Sequence, residues 1–227
     1  AGQLFENLLT ESSDPLVRNR AWFYLGKVRL QRGYLAEAEK AFTSIDGSLP
    51  EELEAERFNL LARVYMEQGR FSDAAQLLSE WDAPTIWAVY ARYNLGVALV
   101  RMGELEVGGA LLDKVGTTPI IPEHREELLS LRDRANVALG FAYLQADIQG
   151  EAKPILQRVR LNGPYSNKAL LGAGWADSNI SDYRRALVPW MELSEREQLD
   201  GAVQESLLAV PYAFARLNAD AQAAQFY

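Results

Sequence analysis

Residues 22–50, WFYLGKVRLQRGYLAEAEKAFTSIDGSLP, decide the fold of this chain. They place a small residue at Gly26, a glycine at Gly33, and then Ala38 and Phe42 four residues apart. A small residue on a helix face lets a second helix approach closely, and a large residue one turn away fills the neighbouring gap. Gly33 suits the turn between the two helices, because glycine tolerates a left-handed backbone. The stretch therefore predicts two antiparallel helices with interlocking side chains.

The same pattern returns four more times along the chain. The later copies are Leu61-Ala62 with Gly69, Ala74 and Leu78; Leu95-Gly96 with Gly103, Gly108 and Leu112; Leu139-Gly140 with Asp147, Ala152 and Leu156; and Leu171-Gly172 with Ala186 and Trp190. The small residues of the second helices, from position 38 through 74, 108 and 152 to 186, are 36, 34, 44 and 34 residues apart. Five ordered copies predict a repeat fold, and the long interval predicts an insertion over residues 116–127. The fifth turn, around residues 177–181, reads as two residues longer than the others.

The order of Trp22, Leu25-Gly26, a turn glycine, an A-x3-F pair and a closing Pro50 resembles the tetratricopeptide repeat (TPR). The resemblance extends over nearly the whole chain. It implies an all-α fold, a right-handed superhelical solenoid of antiparallel helix pairs, with about five full repeats and partial repeats at both ends. The expected ranges within one domain, 1–227, are a second helix of an earlier repeat at 1–12, repeats at 15–50, 51–86, 87–120, 124–164 and 165–198, and a partial repeat at 199–227.

The two ends lead us to expect an internal fragment of a longer protein. Asp14-Pro15 has the residue types of a helix start, so the preceding helix reads as part of an earlier unit. Solenoids normally close with a polar capping helix, and neither end shows one. The sequences of residues 90–99 and 166–175 also resemble a group of longer bacterial repeat proteins that are exported. This resemblance implies a periplasmic location.

Composition excludes several classes of function. The 227 residues are 48% hydrophobic and 24% charged, with a formal net charge of -8 and a pI near 4.9. Phosphate binding draws its affinity from clustered Lys and Arg, so this acidic balance argues against a nucleic-acid partner. No apolar run is long enough to predict membrane insertion by this segment. The absence of cysteine excludes disulfides and thiolate metal sites, and it leaves both the periplasm and the cytoplasm open.

In the family that the chain resembles, the first helices line the concave face and carry the contacts to ligands. Projecting the repeat register onto this chain predicts a partner-binding surface of basic, amide and aromatic side chains. Its residues are Arg20, Phe23, Lys27, Asn59, Arg63, Tyr90, Tyr93, Arg101, Arg134 and Phe141, with Gln31, Glu67 and Gln145 beside them. Arg and Tyr combine a large contact area with a polar group, and several basic residues would suit an acidic or carboxylate-bearing peptide. The alternative is an ordinary solvated helix face.

One family-specific carboxylate clamp can be tested on the sequence. Relatives that bind the tails of chaperones use a fixed Lys/Asn/Asn/Lys/Arg set. The matching positions here are Phe23, Lys27, Leu60, Tyr90 and Asn94. The sequence therefore disfavours binding of chaperone tails.

No residue pattern predicts chemistry. His124 is the only histidine and lies in the 116–127 insertion, where it has no second histidine or cysteine with which to hold zinc. No Ser/His/Asp order is suggested by the spacing. Gly172-Ala173-Gly174 lies in a predicted helix and lacks the strand and the Gly-Lys-Ser/Thr ending of a phosphate loop, so it indicates close helix packing. We expect no catalytic residue, no metal site and no cofactor, and therefore no enzyme.

The leading hypothesis is a non-catalytic scaffold or adaptor that binds a partner protein or peptide on its concave face. The setting would be a bacterial envelope complex for secretion, polysaccharide export or protease adaptation, in the periplasm. One alternative is a structural solenoid that forms homo-oligomers through Phe226-Tyr227 or the Ile120-Ile121 loop. The other is a cytoplasmic regulatory domain that senses a peptide.

Overall fold

The computed structural model describes residues 2–47, 49–80, 85–197 and 199–226. Over these residues the regular structure is helical throughout, which confirms the expected all-α fold. The described helices are α1 (Gly2–Glu11), α2 (Pro15–Gln31), α3 (Leu35–Thr43), α4 (Glu51–Glu67), α5 (Phe71–Ser79), α6 (Thr85–Arg101), α7 (Leu105–Gly116), a short 3₁₀ helix (Pro122–His124), α8 (Arg125–Gln145), α9 (Gln149–Leu156), α10 (Ser166–Asn179), α11 (Tyr183–Ser194), α12 (Gly201–Arg216) and α13 (Asp220–Phe226).

The chain divides into two compact units, Ala1–Leu111 and Leu112–Tyr227. In the first unit each helix from α1 to α6 packs against the next along the chain, and α2, α4 and α6 also pack side by side. In the second unit the helices from α8 to α13 follow the same order, and α8, α10 and α12 pack side by side. We call these even-numbered helices the first helices. The repeat boundaries and the partial repeats at both ends stay predictions.

The turns after the first helices share one backbone conformation. Gly33, Gly69 and Gly103 have φ values of 76°, 77° and 89°, which confirms the turns predicted at these glycines. The other three turns place non-glycine residues in the same left-handed region: Asp147 (60°), Ser181 (63°) and Asn218 (57°). In all six turns the next helix begins two residues later. The fifth turn is therefore as long as the others, and the longer turn expected there is wrong.

The fifth helix pair shows which residue is misplaced in the sequence register. In each earlier pair the small residue lies seven positions before the turn residue, as Gly26 does before Gly33. Seven positions before Ser181 is Gly174. A β-carbon on Gly26 would lie 2.6 Å from the Phe42 ring, and one on Gly174 would lie 2.1 Å from Trp190. Gly174, rather than Gly172, is thus the close-contact residue of this pair.

Each unit has a core built on these contacts. In the first unit, the buried side chains of α2, α3 and α4 include Phe23, Phe42 and Val64. In the second unit, a larger cluster centres on Trp190 in α11 and includes Val203 and Val210 of α12. Trp190 is completely buried, and its indole nitrogen donates a hydrogen bond to the Leu171 carbonyl, 3.1 Å away. The first helices therefore rest on well-filled cores, which hold their outer side chains in place.

Polar side chains on two first helices fix the loops that follow the second helices. The amide of Asn19 donates to the Asp46 carbonyl at 2.6 Å and accepts from its backbone N–H at 3.2 Å. Asp133 holds the same repeat position as Asn19, fourteen residues before the turn residue. Its carboxylate accepts from the backbone N–H of Arg160 at 3.2 Å and from the Arg160 guanidinium at 2.7 Å. These buried residues are structural.

Candidate partner-binding surface

The ten residues predicted for partner binding all lie on first helices, but they differ in exposure. Arg20, Arg63, Arg101 and Arg134 are exposed. Lys27, Tyr90 and Phe141 are half-buried. Phe23, Asn59 and Tyr93 are buried, with 0%, 8% and 6% of their surface exposed. In this structure, the latter three are not available to a partner.

Phe23 belongs to the core, which its position in the repeat alone could not show. Its ring packs 6.3 Å from the Phe42 ring and 5.2 Å from the Tyr24 ring, between centroids. The Lys27 ammonium covers it from above, 5.4 Å from the ring centroid. Burial of an aromatic ring among apolar neighbours stabilises the fold. The assignment of Phe23 to a binding surface is therefore not supported, because its ring faces the core.

Asn59 lies where the neighbouring first helices α4 and α6 pack. The Asn59 amide donates to the Ala55 carbonyl at 3.1 Å, and its oxygen accepts from Asn94 at 3.3 Å. This pair joins α4 to α6 through the buried amide of Asn59 and the half-buried amide of Asn94. A buried polar group that has its hydrogen bonds rigidifies the packing around it. Asn59 thus connects two helices instead of offering a free amide to a ligand.

Two of the basic residues in the first unit are neutralised by this chain's own carboxylates. Lys27 of α2 lies 2.6 Å from Glu56 of α4, and both side chains are about 30% exposed, at 31% and 27%. Arg63 lies 2.7 Å from Glu67 on its own helix. The sequence reasoning did not include Glu56. The position of Glu56 in the repeat could have identified it. Glu56 lies thirteen residues before the turn residue Gly69, and Glu205 likewise lies thirteen residues before the turn residue Asn218.

The second unit repeats the Lys27–Glu56 arrangement with different side chains. Trp175 lies six residues before its turn residue, as Lys27 does, and its indole nitrogen donates to Glu205 of α12 at 2.7 Å. Trp175 also packs edge-to-face on Trp190, with centroids 4.9 Å apart. The same two positions thus link neighbouring first helices in both units. Sequence reasoning missed this pair, because its register for the fifth copy was two residues out.

One side of α12 exposes a leucine and a tyrosine, with a cation at its end. Leu208 is 68% exposed and Tyr212 is 40% exposed, and Arg216 follows four residues later. The Arg216 guanidinium donates through Nε to the Tyr183 hydroxyl at 3.0 Å, and its centre lies 5.2 Å from that ring. Hydrogen bonds with Ser181, Arg216 and Tyr212 lower the pKa of Tyr183. The hydrogen bond to Tyr183 raises the pKa of Arg216, which keeps it a cation.

The 116–127 segment has little regular structure. After Gly116 the chain has no helix until the 3₁₀ turn at Pro122–His124, and Ile121 is 42% exposed. His124 lies 3.4 Å from Glu127, and both are largely exposed. Of the sites named for self-association, Phe226 stacks on Phe214 at 5.5 Å, whereas Tyr227 lies outside the described residues.

A cavity of about 360 Å³ lies among α1, α2 and α3. Its lining combines Leu9, Trp22 and Leu25 with an ion pair in which Nη2 of Arg29 lies 2.5 Å from Oε1 of Glu6. None of the ten predicted residues contributes to it. The cavity is therefore separate from the predicted partner-binding surface.

The described part of the chain offers neither a metal-binding cluster nor a membrane-spanning helix. Within residues 2–47, 49–80, 85–197 and 199–226 no three His, Asp or Glu side chains are grouped so that they could hold a metal ion. No helix in those same ranges combines the length and the apolar character needed to cross a bilayer.

Comparison with known proteins identifies the fold. No protein-family model matches the chain, and no curated protein sequence is a significant match. Among solved structures, the apo form of RapI matches over 99% of this chain and 66% of its own, with a TM-score of 0.71 and 14% identity. MamA matches over 77% of this chain and 88% of its own (TM-score 0.57, 18% identity). The TPR-like repeats of a Podospora anserina kinesin light chain match over 78% and 92% (TM-score 0.57, 16% identity). These neighbours are TPR-repeat proteins, so the chain has the TPR-like helical-repeat fold.

Proposed function

We propose that this chain is a non-catalytic scaffold or adaptor that binds a partner protein or peptide through the surface of its first helices. The observation that carries the proposal is the exposure of arginine side chains on successive first helices, with Arg20 on α2, Arg63 on α4, Arg101 on α6 and Arg134 on α8. Each lies on a helix that contributes side chains to a packed cluster within its own unit. Exposed arginines on packed helices suit recognition of a protein, since arginine is enriched among the residues that dominate binding energy.

Part of this surface is already occupied by contacts within the chain. The Lys27–Glu56 and Arg63–Glu67 pairs reduce the positive charge that a partner would meet in the first unit. Exposed ion pairs are worth little, about 0–1 kcal/mol, so a partner carboxylate could replace Glu67 at Arg63 at small cost. An acidic partner is therefore compatible with this surface.

The proposal is tested by charge reversal on the first helices. The variant Arg20→Glu with Arg63→Glu changes two exposed residues and leaves the core intact. The matched control, Arg32→Glu with Arg125→Glu, makes the same charge change at exposed positions, one in a turn and one at the first residue of α8. Circular dichroism checks that both variants are folded. The wild type and the control should capture the same partner from the organism of origin, and the first-helix variant should lose it.

Other outcomes favour the two alternatives. Capture that survives the first-helix variant would contradict binding through this surface. A mass that rises with protein concentration in sedimentation equilibrium, without any captured partner, would favour a self-associating solenoid. We also propose a periplasmic bacterial envelope complex as the setting, and recovery of the native protein in the cytoplasmic fraction would contradict it and favour a peptide sensor.

A further inference from the structure

We infer that the partner-binding site lies on α12, along the stripe formed by Leu208, Tyr212 and Arg216, and that it accepts an extended peptide carrying an apolar side chain and an Asp or Glu carboxylate. The inference rests on the proposed function and assigns it a place and a ligand chemistry. It moves the site to residues that the sequence register did not select. The three residues lie four positions apart, so they share one side of the helix.

The apolar part of the stripe is open to solvent. Leu208 and Tyr212 are 68% and 40% exposed, although they stand on a helix whose other side is buried in the Trp190 cluster. By contrast, of the aromatic residues predicted in the first unit, Phe23 and Tyr93 are buried and Tyr90 is half-buried. An isolated exposed leucine needs no explanation, but a leucine and a tyrosine one helical turn apart offer a contiguous apolar contact. This contact selects an apolar side chain in the partner.

The cation at the end of the stripe differs from Lys27 and Arg63 of the first unit. Lys27 and Arg63 are paired with the carboxylates of Glu56 and Glu67. The groups that act on Arg216 within the described part of the chain are the hydroxyls of Tyr183 and Tyr212, with no carboxylate among them. Its Nε is occupied by Tyr183, which orients the guanidinium and leaves the terminal nitrogens as donors. Such a guanidinium is complementary to a carboxylate, which it can bind end-on through two nitrogens.

Aromatic side chains of α10 and α11 complete the site. Trp175 of α10 is held between Glu205, to which it donates at 2.7 Å, and the ring of Trp190. Tyr183 is held by its edge-to-face contact with Tyr212, with centroids 6.0 Å apart. Aromatic side chains fixed in this way lose little conformational entropy when a ligand binds. The side chains around the stripe are thus pre-organised.

The helix geometry sets the spacing of the ligand groups. From Leu208 to Arg216 the rise along α12 is about 12 Å, at about 1.5 Å per residue. An extended peptide covers that distance in about three to four residues. The ligand should therefore carry its apolar side chain three or four residues from its carboxylate.

The test is a selection from a phage-displayed random peptide library in which the peptide's C-terminus is fused to the coat protein, so that only side-chain carboxylates are offered. The full chain is the target, and enriched sequences are made as amidated fluorescent peptides for anisotropy measurements. We expect enrichment of Asp or Glu three or four residues from Leu, Ile, Phe or Trp. We also expect Arg216→Gln to weaken binding at least about fivefold, a size typical of the loss of one charged hydrogen-bond contact.

Two controls separate a direct contact from general damage. Leu208→Ser should weaken binding, whereas Leu161→Ser, at a leucine that is 60% exposed in the loop after α9, should not. Replacing the peptide carboxylate by its amide should weaken binding to the wild type and have no further effect on Arg216→Gln, as in a double-mutant cycle. Arg216→Lys retains the charge, so it should bind more tightly than Arg216→Gln and keeps the test valid if Gln disturbs the fold.

The failures of the two proposals are distinguishable. Peptides that are lost with Arg20→Glu and Arg63→Glu but unaffected by Leu208→Ser and Arg216→Gln would support binding through the arginines of α2 and α4 and overturn the α12 site. Peptides unaffected by all four changes would overturn both. Absence of enrichment over the starting library would overturn the α12 peptide site, and the capture experiment would still decide the proposed function.

Discussion

Gly174 and Trp190 pack so closely that a β-carbon on Gly174 would lie 2.1 Å from Nε1 of the indole. That nitrogen also donates to the Leu171 carbonyl, so the ring cannot turn away without breaking a buried hydrogen bond. Gly172, two residues earlier on the same helix, has more room, and a β-carbon there would lie 3.0 Å from side-chain atoms of Leu156 and Phe141. The two glycines therefore have different structural roles.

We predict that Gly174→Ala lowers the free energy of unfolding by about 2–3 kcal/mol, because the added methyl group overpacks a filled core. Gly172→Ala should cost at least about 1 kcal/mol less, since flexible side chains can move aside. Urea unfolding of both variants, monitored by tryptophan fluorescence, checks the difference. Equal losses for the two variants would contradict the assignment of Gly174 as the contact residue.

These two glycines also show what the sequence could predict. The order of small residues, turn residues and large residues predicted an all-α fold and the turns at Gly33, Gly69 and Gly103. It could not choose between Gly172 and Gly174, because both are small and the fifth turn lacks a glycine to define the spacing. Ser181 adopts the left-handed backbone there instead. The choice depends on the position of the Trp190 ring, which is a property of packing.

The left-handed turns offer a second prediction, at Gly69. Its φ is 77°, and a β-carbon would meet no atom within 4 Å, so Gly69→Ala tests backbone conformation alone. We expect a loss of about 1–2 kcal/mol in unfolding free energy. Gly150→Ala is the matched control, because Gly150 lies in the first turn of α9, also with no atom within 4 Å and without a positive φ. It should be neutral or gain up to about 1 kcal/mol. Thermal unfolding measures both variants, and equal midpoint temperatures for Gly69→Ala and Gly150→Ala would contradict the prediction.

A buried ion pair in the second unit carries a third prediction. The Asp177 side chain of α10 is 3% exposed and accepts from Lys153 of α9, at 2.6 and 2.8 Å. Lys153→Met leaves this carboxylate without its counter-charge, so we expect a loss of about 2–4 kcal/mol. The double variant with Asp177→Asn removes both charges and should recover part of that loss. Urea unfolding of the four proteins gives the coupling energy, and a double variant less stable than Lys153→Met would contradict the predicted coupling.

The binding surface was less predictable from sequence than the fold. The register assigned Phe23 and Tyr93 to first helices correctly, but it could not show that neighbouring helices bury them. Exposure of a side chain depends on the distance between helices, and small differences in neighbouring residues change that distance. Leu208 and Tyr212 were missed for a related reason. Pro211 stands where the other first helices have a small residue, so the sixth unit lacks the Leu-Gly signal that locates the register.

Glu39 and Arg70 provide a prediction about acid. A hydrogen bond from the Arg70 guanidinium holds the pKa of the Glu39 carboxyl below its ordinary value of 4.5. The Glu39 carboxylate therefore binds a proton more readily in the unfolded chain than in the folded one. The stabilisation of the fold by this hydrogen bond is present above about pH 4.5 and is lost as the pH falls through the lowered pKa. We expect Arg70→Gln to reduce stability at pH 7 and to flatten the decline of stability toward pH 3.

Arg70 also contacts an aromatic ring, since its guanidinium carbon lies 4.4 Å from the centre of the Tyr65 ring. The loss of that contact should lower stability at every pH. Urea unfolding between pH 7 and pH 3 checks this against Arg32→Gln, in the turn after α2. Parallel pH profiles for wild type and Arg70→Gln would show that this pair does not contribute to acid sensitivity.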